Sequence, residues 1–388
     1  MSPTRGRARH RQRRRASRWL VVLVVALVLV VLAGAVASRI QLGDYALVPG
    51  VAQPVTGLIS VPGGQAARVQ GQLLLTDVGV EPVTALSWLW DQLSSTTQVV
   101  PASALTGGLP SSELVAEGQV DMAEAQLTAE AVALRQLGLP VPERDVGVVL
   151  FALVPGTPAY AHLAVGDVVA SLDGNPTTSP AALVRAVQRC RPGQSVVLEV
   201  GTVAHPTRLR PIRLRLGRQR VDGRVEPLLG VPYDTGPAAD GMGTQPLYQL
   251  PRRLVLASDG IGGPSAGLAF TLGILDRLAG GDLTGGQVVA VTGTIDPNGA
   301  VGEIGGLPQK TVAVERAGAR YFLVPAAQVG QAEAVAHRGL RVLGVRSLAQ
   351  ALADLRRLGG RLGPAAHGPP PGPAGHAVPA QWPSSPWS

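Results

Sequence analysis

Lysine is almost missing from this chain: of 34 basic side chains only Lys310 is a lysine, and all the others are arginine. Arginine serves equally well as a surface charge, but only lysine sheds its proton at accessible pH to become a neutral amine base. The lone exception marks Lys310 as a candidate base. Cysteine is reduced to Cys190, which excludes an intrachain disulfide and reads as a small buried residue in a chain with enough core to do without one. Aromatics make up 3% of the residues, so the cores must be built from Val, Leu, Ile and Ala. No glycine-rich loop ends in the Lys-Ser/Thr pair of a P-loop, which argues against ATP binding of that kind.

The net charge of +8 is concentrated at one end. Arg5, Arg7, Arg9, Arg11, Arg13, Arg14, Arg15 and Arg18 precede the first acidic residue, and without these eight the remainder balances 26 basic against 26 acidic groups. That neutral body offers no electrostatic case for nucleic-acid binding. Trp19 to Ala37 is uncharged and almost wholly apolar, and its 19 residues would reach about 28 Å as a helix. A transmembrane helix over 19–38 is expected, with residues 1–18 cytoplasmic and the bulk outside the membrane, since arginines crowd one flank and only Arg39 follows the other. A cleaved signal peptide ending near Ala35-Val36-Ala37 is the alternative, although the apolar run exceeds the usual signal core. At the far end, 359–388 is rich in Pro, Gly and Ala without apolar periodicity, and disorder is expected.

The segment 39–140 shows little chemistry. Leu73-Leu74-Leu75-Thr76 reads as a strand and Val120 to Leu137 as a helix with intermixed acids. Between 146 and 216 the order is clearer: a strand at Val148–Val154, a turn at Pro155–Ala159, and a second strand at Val168–Val169 closing on Asp173-Gly174. A helix then opens at Ser179-Pro180 with Leu183 and Val187 on one face, and strands follow at Ser195–Val200 and Arg210–Leu216. This run, with Pro155-Gly156-Thr157-Pro158-Ala159 and Leu163 to Gly174, resembles the PDZ domains of bacterial proteases. The resemblance implies a groove between the first strand and the helix, where an extended peptide adds as a strand. Val146, Gly147 and Val148 would meet its C-terminal carboxylate, and Leu183 and Val187 would line the groove.

A short apolar strand at Leu254–Ala257 runs into a glycine-rich loop, and beyond Ser265 the residues Leu268, Leu272, Leu275 and Leu278 share one helical face. Ser265 thus sits where a loop enters a helix, beside unpaired backbone N–H groups, of which those of Gly263 and Ala266 are candidates to hold an oxyanion. A serine hydroxyl needs a base. His10, His162, His205, His367 and His376 lie in the tails or the PDZ-like run, which leaves His337 and Lys310. Lys310 follows a buried-strand run at Val288–Val291 and opens a helix after Gly305-Gly306, where desolvation can lower its pKa toward 7 to 8 at a cost of roughly 3 to 5 kcal/mol.

Gly262–Gly267 (GGPSAG), Thr292–Ile295 (TGTI), Gly302–Lys310 (GEIGGLPQK) and Ala317–Pro325 (AGARYFLVP) together resemble the proteolytic domain of Lon-type proteases. With the anchor and the PDZ-like run, the chain looks like the membrane-anchored, ATP-independent Lon-like PDZ proteases. The resemblance implies an α/β (α+β) Lon-type domain with an inserted β-rich PDZ domain. In its terms Ser265 is the nucleophile, Lys310 the general base, and Thr292 a hydrogen-bonding partner near that lysine. It also implies hexameric rings, polypeptide substrates, and neither metal nor cofactor. Gly262 and Thr294 stand where the family usually has acids. The domain expectation is therefore 1–18 tail, 19–38 anchor, 39–140 part of the protease domain, 141–220 PDZ, 221–358 Lon-type domain and 359–388 tail. The competing reading is a non-catalytic PDZ adaptor on a degenerate protease fold.

Overall fold

A computed structural model describes residues 23–62, 71–92, 94, 96–106, 111–203, 205–221, 223–232, 241–251, 254–258, 260–337 and 339–363. The basic tail, the first part of the apolar run and 364–388 lie outside them. Two compact units emerge, one from the described parts of 1–49 and 78–108, the other from those of 50–77 and 109–388.

The chain opens with helix α1 at 23–37, followed by β1 (Gln41–Pro54), β2 (Ile59–Ser60), β3 (Gln72–Thr84), α2 (Ala85–Asp91), β4 (Gln98–Pro101) and α3 (Ala102–Thr106). In the first unit β1 pairs antiparallel with β4, Asp44 opposite Pro101 and Leu47 opposite Gln98. Among the described residues no helix is long and apolar enough to cross a membrane. The expected span is described only from 23 onward, as α1, whose apolar side chains are exposed, Leu27 and Val30 among them.

The second unit carries α4 (Ser111–Gln136) and then an antiparallel sheet. Its elements are β5 (Glu143–Leu150), α5 (Pro158–His162), β6 (Asp167–Leu172), β7 (Asn175–Pro176), α6 (Pro180–Gln188), β8 (Ser195–Thr202), β9 (His205–Arg215), β10 (Gly217–Val221), β11 (Arg224–Leu228) and β12 (Met242–Tyr248). The strand order is β12-β5-β6-β8-β9, with β7 paired to β6 and β10–β11 a separate hairpin. Alternation builds this sheet: Val148, Leu150, Val169, Val196, Leu198 and Val200 face one core with Leu183 and Val187 of α6. Val149, Val168 and Val203 face the other way, onto Val120, Ala123 and Leu127 of α4. Ser179 caps α6 by accepting from Ala182 N, with Pro180 in the first turn.

Several expectations are corrected here. The first strand stops at Leu150: Ala152 N turns back to share Gly241 O with Phe151 N, and Val154 N donates to Gly230 O. The turn after it tightens into α5. The sheet runs on past 220, since β12 pairs with β5. Most consequentially, β5 pairs with β12 along its length and with β6 at Val148 and Val149, so at those two residues both edges of the strand are taken. Gly147 lies opposite Gln245 and Val148 opposite Thr244, while Leu183 and Val187 are buried at 1% and 8% exposure. Among the described residues, then, Val148 offers no free edge for the groove expected between this strand and α6; the terminal strands of the sheet are β12 and β9.

The remaining elements are β13 (Val255–Leu256), α7 (Gly267–Ala279), β14 (Val288–Val291), β15 (Thr294–Ile295), β16 (Val301–Gly302), α8 (Leu307–Arg316), β17 (Tyr321–Pro325), α9 (Val329–Glu333), β18 (Arg341–Val345) and α10 (Leu348–Arg357). The runs Leu73–Leu75, Val289–Val291 and Phe322–Val324 are buried, as strands covered on both faces must be. They form a parallel sheet: Leu73 lies opposite Val289 and Val289 opposite Tyr321, and β18 follows β17 in parallel. Helix α7 is buried nearly throughout and packs with α4 into the main core through Met122, Ala129, Leu268, Leu272 and Leu275. The expected tail begins later than 359, because Arg361 exchanges backbone hydrogen bonds with Asp282 at 2.7 and 3.0 Å.

Candidate active site

Ser265 stands in a single 3-10 turn, Pro264–Ala266, that leads directly into α7. Gly263 enters this turn at φ 87, a left-handed value that favours glycine. The turn is laced to the end of β14: Gly293 N donates to Ser265 O at 3.0 Å and Leu268 N to Gly293 O at 3.0 Å. Gly267 closes the approach, since a Cβ there would lie 3.0 Å from Ile295 N. These contacts fix the backbone of Ser265 on both sides, which is the condition for a preorganised site.

Lys310 sits in the first turn of α8, entered through Gly306 at φ 64 with Pro308 beside it. Its side chain is 3% exposed, and Nζ donates to Ser265 Oγ at 2.6 Å and to Thr292 Oγ1 at 3.3 Å. Burial pulls the lysine down from its ordinary value to about 8, while the nearby Asp77 carboxylate works against that shift. The positive end of α8 acts in the same direction as burial. The displacement corresponds to about 3 kcal/mol of disfavoured charge. Thr292 is fully buried; its hydroxyl accepts from Lys310 and donates to Ser265 O at 3.3 Å. The structure thus brings Ser265, Thr292 and Lys310 into one hydrogen-bonded group.

The other expected residues fall elsewhere. Gly263 N–H is already used, donating to Gly118 O of α4 at 2.6 Å, so it is not a free oxyanion donor. The contact is possible because Gly262 has no side chain, and a Cβ there would meet Gly118 at 3.2 Å. Ala266 lies at the head of α7 with its methyl group buried. His337 is largely exposed, with Nδ1 2.8 Å from Glu315 Oε2; it pairs with that carboxylate rather than with Ser265. Asp259, the nearest acid before the serine in sequence, is outside the described residues.

The stretch 71–140, which carries no motif, contributes two things to this site. One is Asp77, in β3 just past its buried run, which accepts from Val51 N at 2.5 Å. The other is α4. Beyond the Gly118 carbonyl it carries Asp121, Glu124 and Glu130, pushed up to about 6, 7 and 8 chiefly by burial. Glu117 adds to the effect on Asp121, and Asp121 to that on Glu124. The acids intermixed with apolar residues along this helix are the signal the sequence offers.

Residues 259–354 match the family model for the Lon protease (S16) C-terminal proteolytic domain. A Lon protease of Chloroflexus aggregans is 35% identical over 92 residues, which is 23% of this chain and 11% of that protein. The chain therefore spans about a tenth of that relative's length. Among solved structures, the PDZ domain of an SdrC-like protein from Listeria monocytogenes aligns at 21% identity and a TM-score of 0.20, over 22% of this chain and 86% of that one. The corresponding Listeria innocua domain aligns at 20% identity and a TM-score of 0.19, over 22% and 89%. The family match covers the serine turn, the Thr292 segment and α8 together, and residues 259–354 are a Lon-like proteolytic domain.

Proposed function

We propose that the chain is an ATP-independent serine endopeptidase that cuts exported or membrane-associated polypeptides with a Ser265–Lys310 dyad. The observation that carries this reading is the 2.6 Å approach of a buried Lys310 Nζ to Ser265 Oγ inside a Lon-like domain. The neutral amine takes the hydroxyl proton while Oγ attacks the peptide carbonyl carbon. Backbone N–H groups of the Ser265–Ala266 turn hold the oxyanion. The C–N bond then breaks, Lys310 returns the proton to the leaving amine, and water cleaves the acyl ester by the same proton path. With a lysine at about 8, roughly a tenth of the molecules hold the neutral amine at pH 7. Thr292 orients the amine and ties its position to the serine backbone.

The antiparallel sheet from β5 to β12 serves as a PDZ-like recruiter of polypeptides, with the capture edge on β12. The apolar run Trp19–Ala37 anchors the chain, N-terminus inside. Closed rings of the chain are the expected assembly, by likeness to the Lon family. A non-catalytic adaptor is the second reading, and one observation favours it: Gly263 N–H is engaged by Gly118 O. Degradation of an unfolded protein by the wild type, Ser265→Ala and Lys310→Arg decides between them. Loss of turnover by at least 10²-fold in both variants is expected. Equal rates in all three would leave the adaptor standing, and activity in Lys310→Arg with loss on His337→Ala would transfer the base role to His337.

A further inference from the structure

We propose that α2 and the chain entering β1 form a second membrane contact, an interfacial patch that seats Trp88 and Trp90 among lipid headgroups. This rests on the anchor reading of 19–37. Tryptophan is rare here, five residues in all, and two of them sit on the seven-residue α2 with 42% and 67% exposure. Leu86 beside them is 37% exposed, and Ile40 and Leu42 are 50% and 45% exposed.

Backbone hydrogen bonds bring these residues together. Arg39 N donates to Val36 O at 3.0 Å, turning the chain at the end of α1, and Ala85 N donates to Ile40 O at 2.9 Å. The first residue of α2 is thereby fixed to a residue three positions beyond the apolar helix. Thr84 caps α2 reciprocally with Ser87, so the helix presents its tryptophans from a defined start. From Val78 to Trp90 the only charge is Glu81.

Exposed apolar residues at this place fit a lipid headgroup layer. A helix that leaves a bilayer delivers the next few residues to the headgroup layer, where the amphipathic indole is favoured and where Trp concentrates in membrane proteins. A water-facing surface would gain nothing from five exposed large apolar side chains on two segments joined by a backbone hydrogen bond. A second copy of the chain is the other way to cover them, and the test separates the two.

The full chain bearing Trp19→Phe, Trp382→Phe and Trp387→Phe keeps only Trp88 and Trp90 as indole reporters. It is reconstituted into phosphatidylglycerol–phosphatidylethanolamine vesicles brominated either near the carbonyl end or near the terminus of the acyl chain. Co-flotation with the vesicles checks the anchor separately. The expected result is co-flotation, a blue-shifted emission, and stronger quenching by the shallow bromines than by the deep ones or by aqueous iodide. Co-flotation with iodide quenching and no bromine quenching overturns the patch and leaves the anchor intact. Co-flotation with protection from both quenchers also overturns it, because the indoles then face protein. Failure to co-float overturns the anchor, and the patch with it.

Discussion

At the scale of single residues, the balance around Lys310 is what the site depends on. Burial pushes its proton off and Asp77 holds it on, so the two effects set the pH at which the amine becomes neutral. Activity should rise with pH along a limb centred near the value of about 8. Asp77→Asn removes the opposing charge, so the lysine titrates lower and the limb should move toward acid, by roughly half to one pH unit. A kcat/KM profile of this variant against the wild type checks the sign; an unmoved limb, or one moved toward alkali, would rule out Asp77 as the opposing charge. Lys310 and Ser265 were legible in the sequence because composition singled out one and a loop-to-helix boundary singled out the other. The Gly118 carbonyl was not legible, since a backbone acceptor on a helix leaves no mark in residue identity. Nor was Asp77, which reaches the lysine only through a parallel pairing of β3 with β14 across most of the chain.

At the scale of elements, α4 is the piece the sequence understated. One side joins the main core through Met122 and Ala129, another meets the antiparallel sheet through Val120, Ala123 and Leu127, and Gly118 O reaches the serine loop. It does this while burying carboxyls. Glu130 is 6% exposed, with Oε1 lacking a partner among the described residues. A carboxyl whose folded value is raised to about 8 keeps its proton after the unfolded chain has lost it. It therefore lowers stability as pH climbs from roughly 4 toward 8 and leaves the acid side untouched. Glu130→Gln should raise stability at pH 8 by roughly 1–3 kcal/mol with little change near pH 4. Urea unfolding at the two pH values measures this, and an equal effect at both would assign the change to packing instead of charge. Helix existence was readable from the apolar spacing, whereas its start nine residues before Val120 and its three-way packing are tertiary facts. The strand error at 148–154 has a similar origin: a continuous apolar run reads as one strand, but Ala152 N turns back to the Gly241 carbonyl and Val154 N to that of Gly230, so it ends at Leu150.

At the scale of the molecule, the proposed function gives chemistry and capture to different parts of one chain, so a single substitution should separate them. Phe151 N donates to Gly241 O, which makes that pair a hydrogen-bonded one; with Met242 opposite Leu150 and Thr244 opposite Val148, alternation turns the N–H groups of Met242 and Thr244 away from β5. Those donors are the ones an added peptide strand would use. The strand already tolerates Pro246 at a register shift, as an edge strand can. The sequence hid this edge because Met242–Tyr248 carries glycine and proline instead of an apolar alternation, so the groove was expected at β5. Thr244 is exposed, and Thr244→Pro deletes one outward donor without removing a bond of the ladder to β5 or touching the Ser265–Lys310 hydrogen bond. Degradation of a full-length unfolded protein should then fall several-fold, about 1 kcal/mol for one lost backbone hydrogen bond, while cleavage of a short peptide that needs no capture keeps its rate. Equal losses on both substrates would mean that the proline damaged the fold. No loss on either would place polypeptide capture somewhere other than the β12 edge.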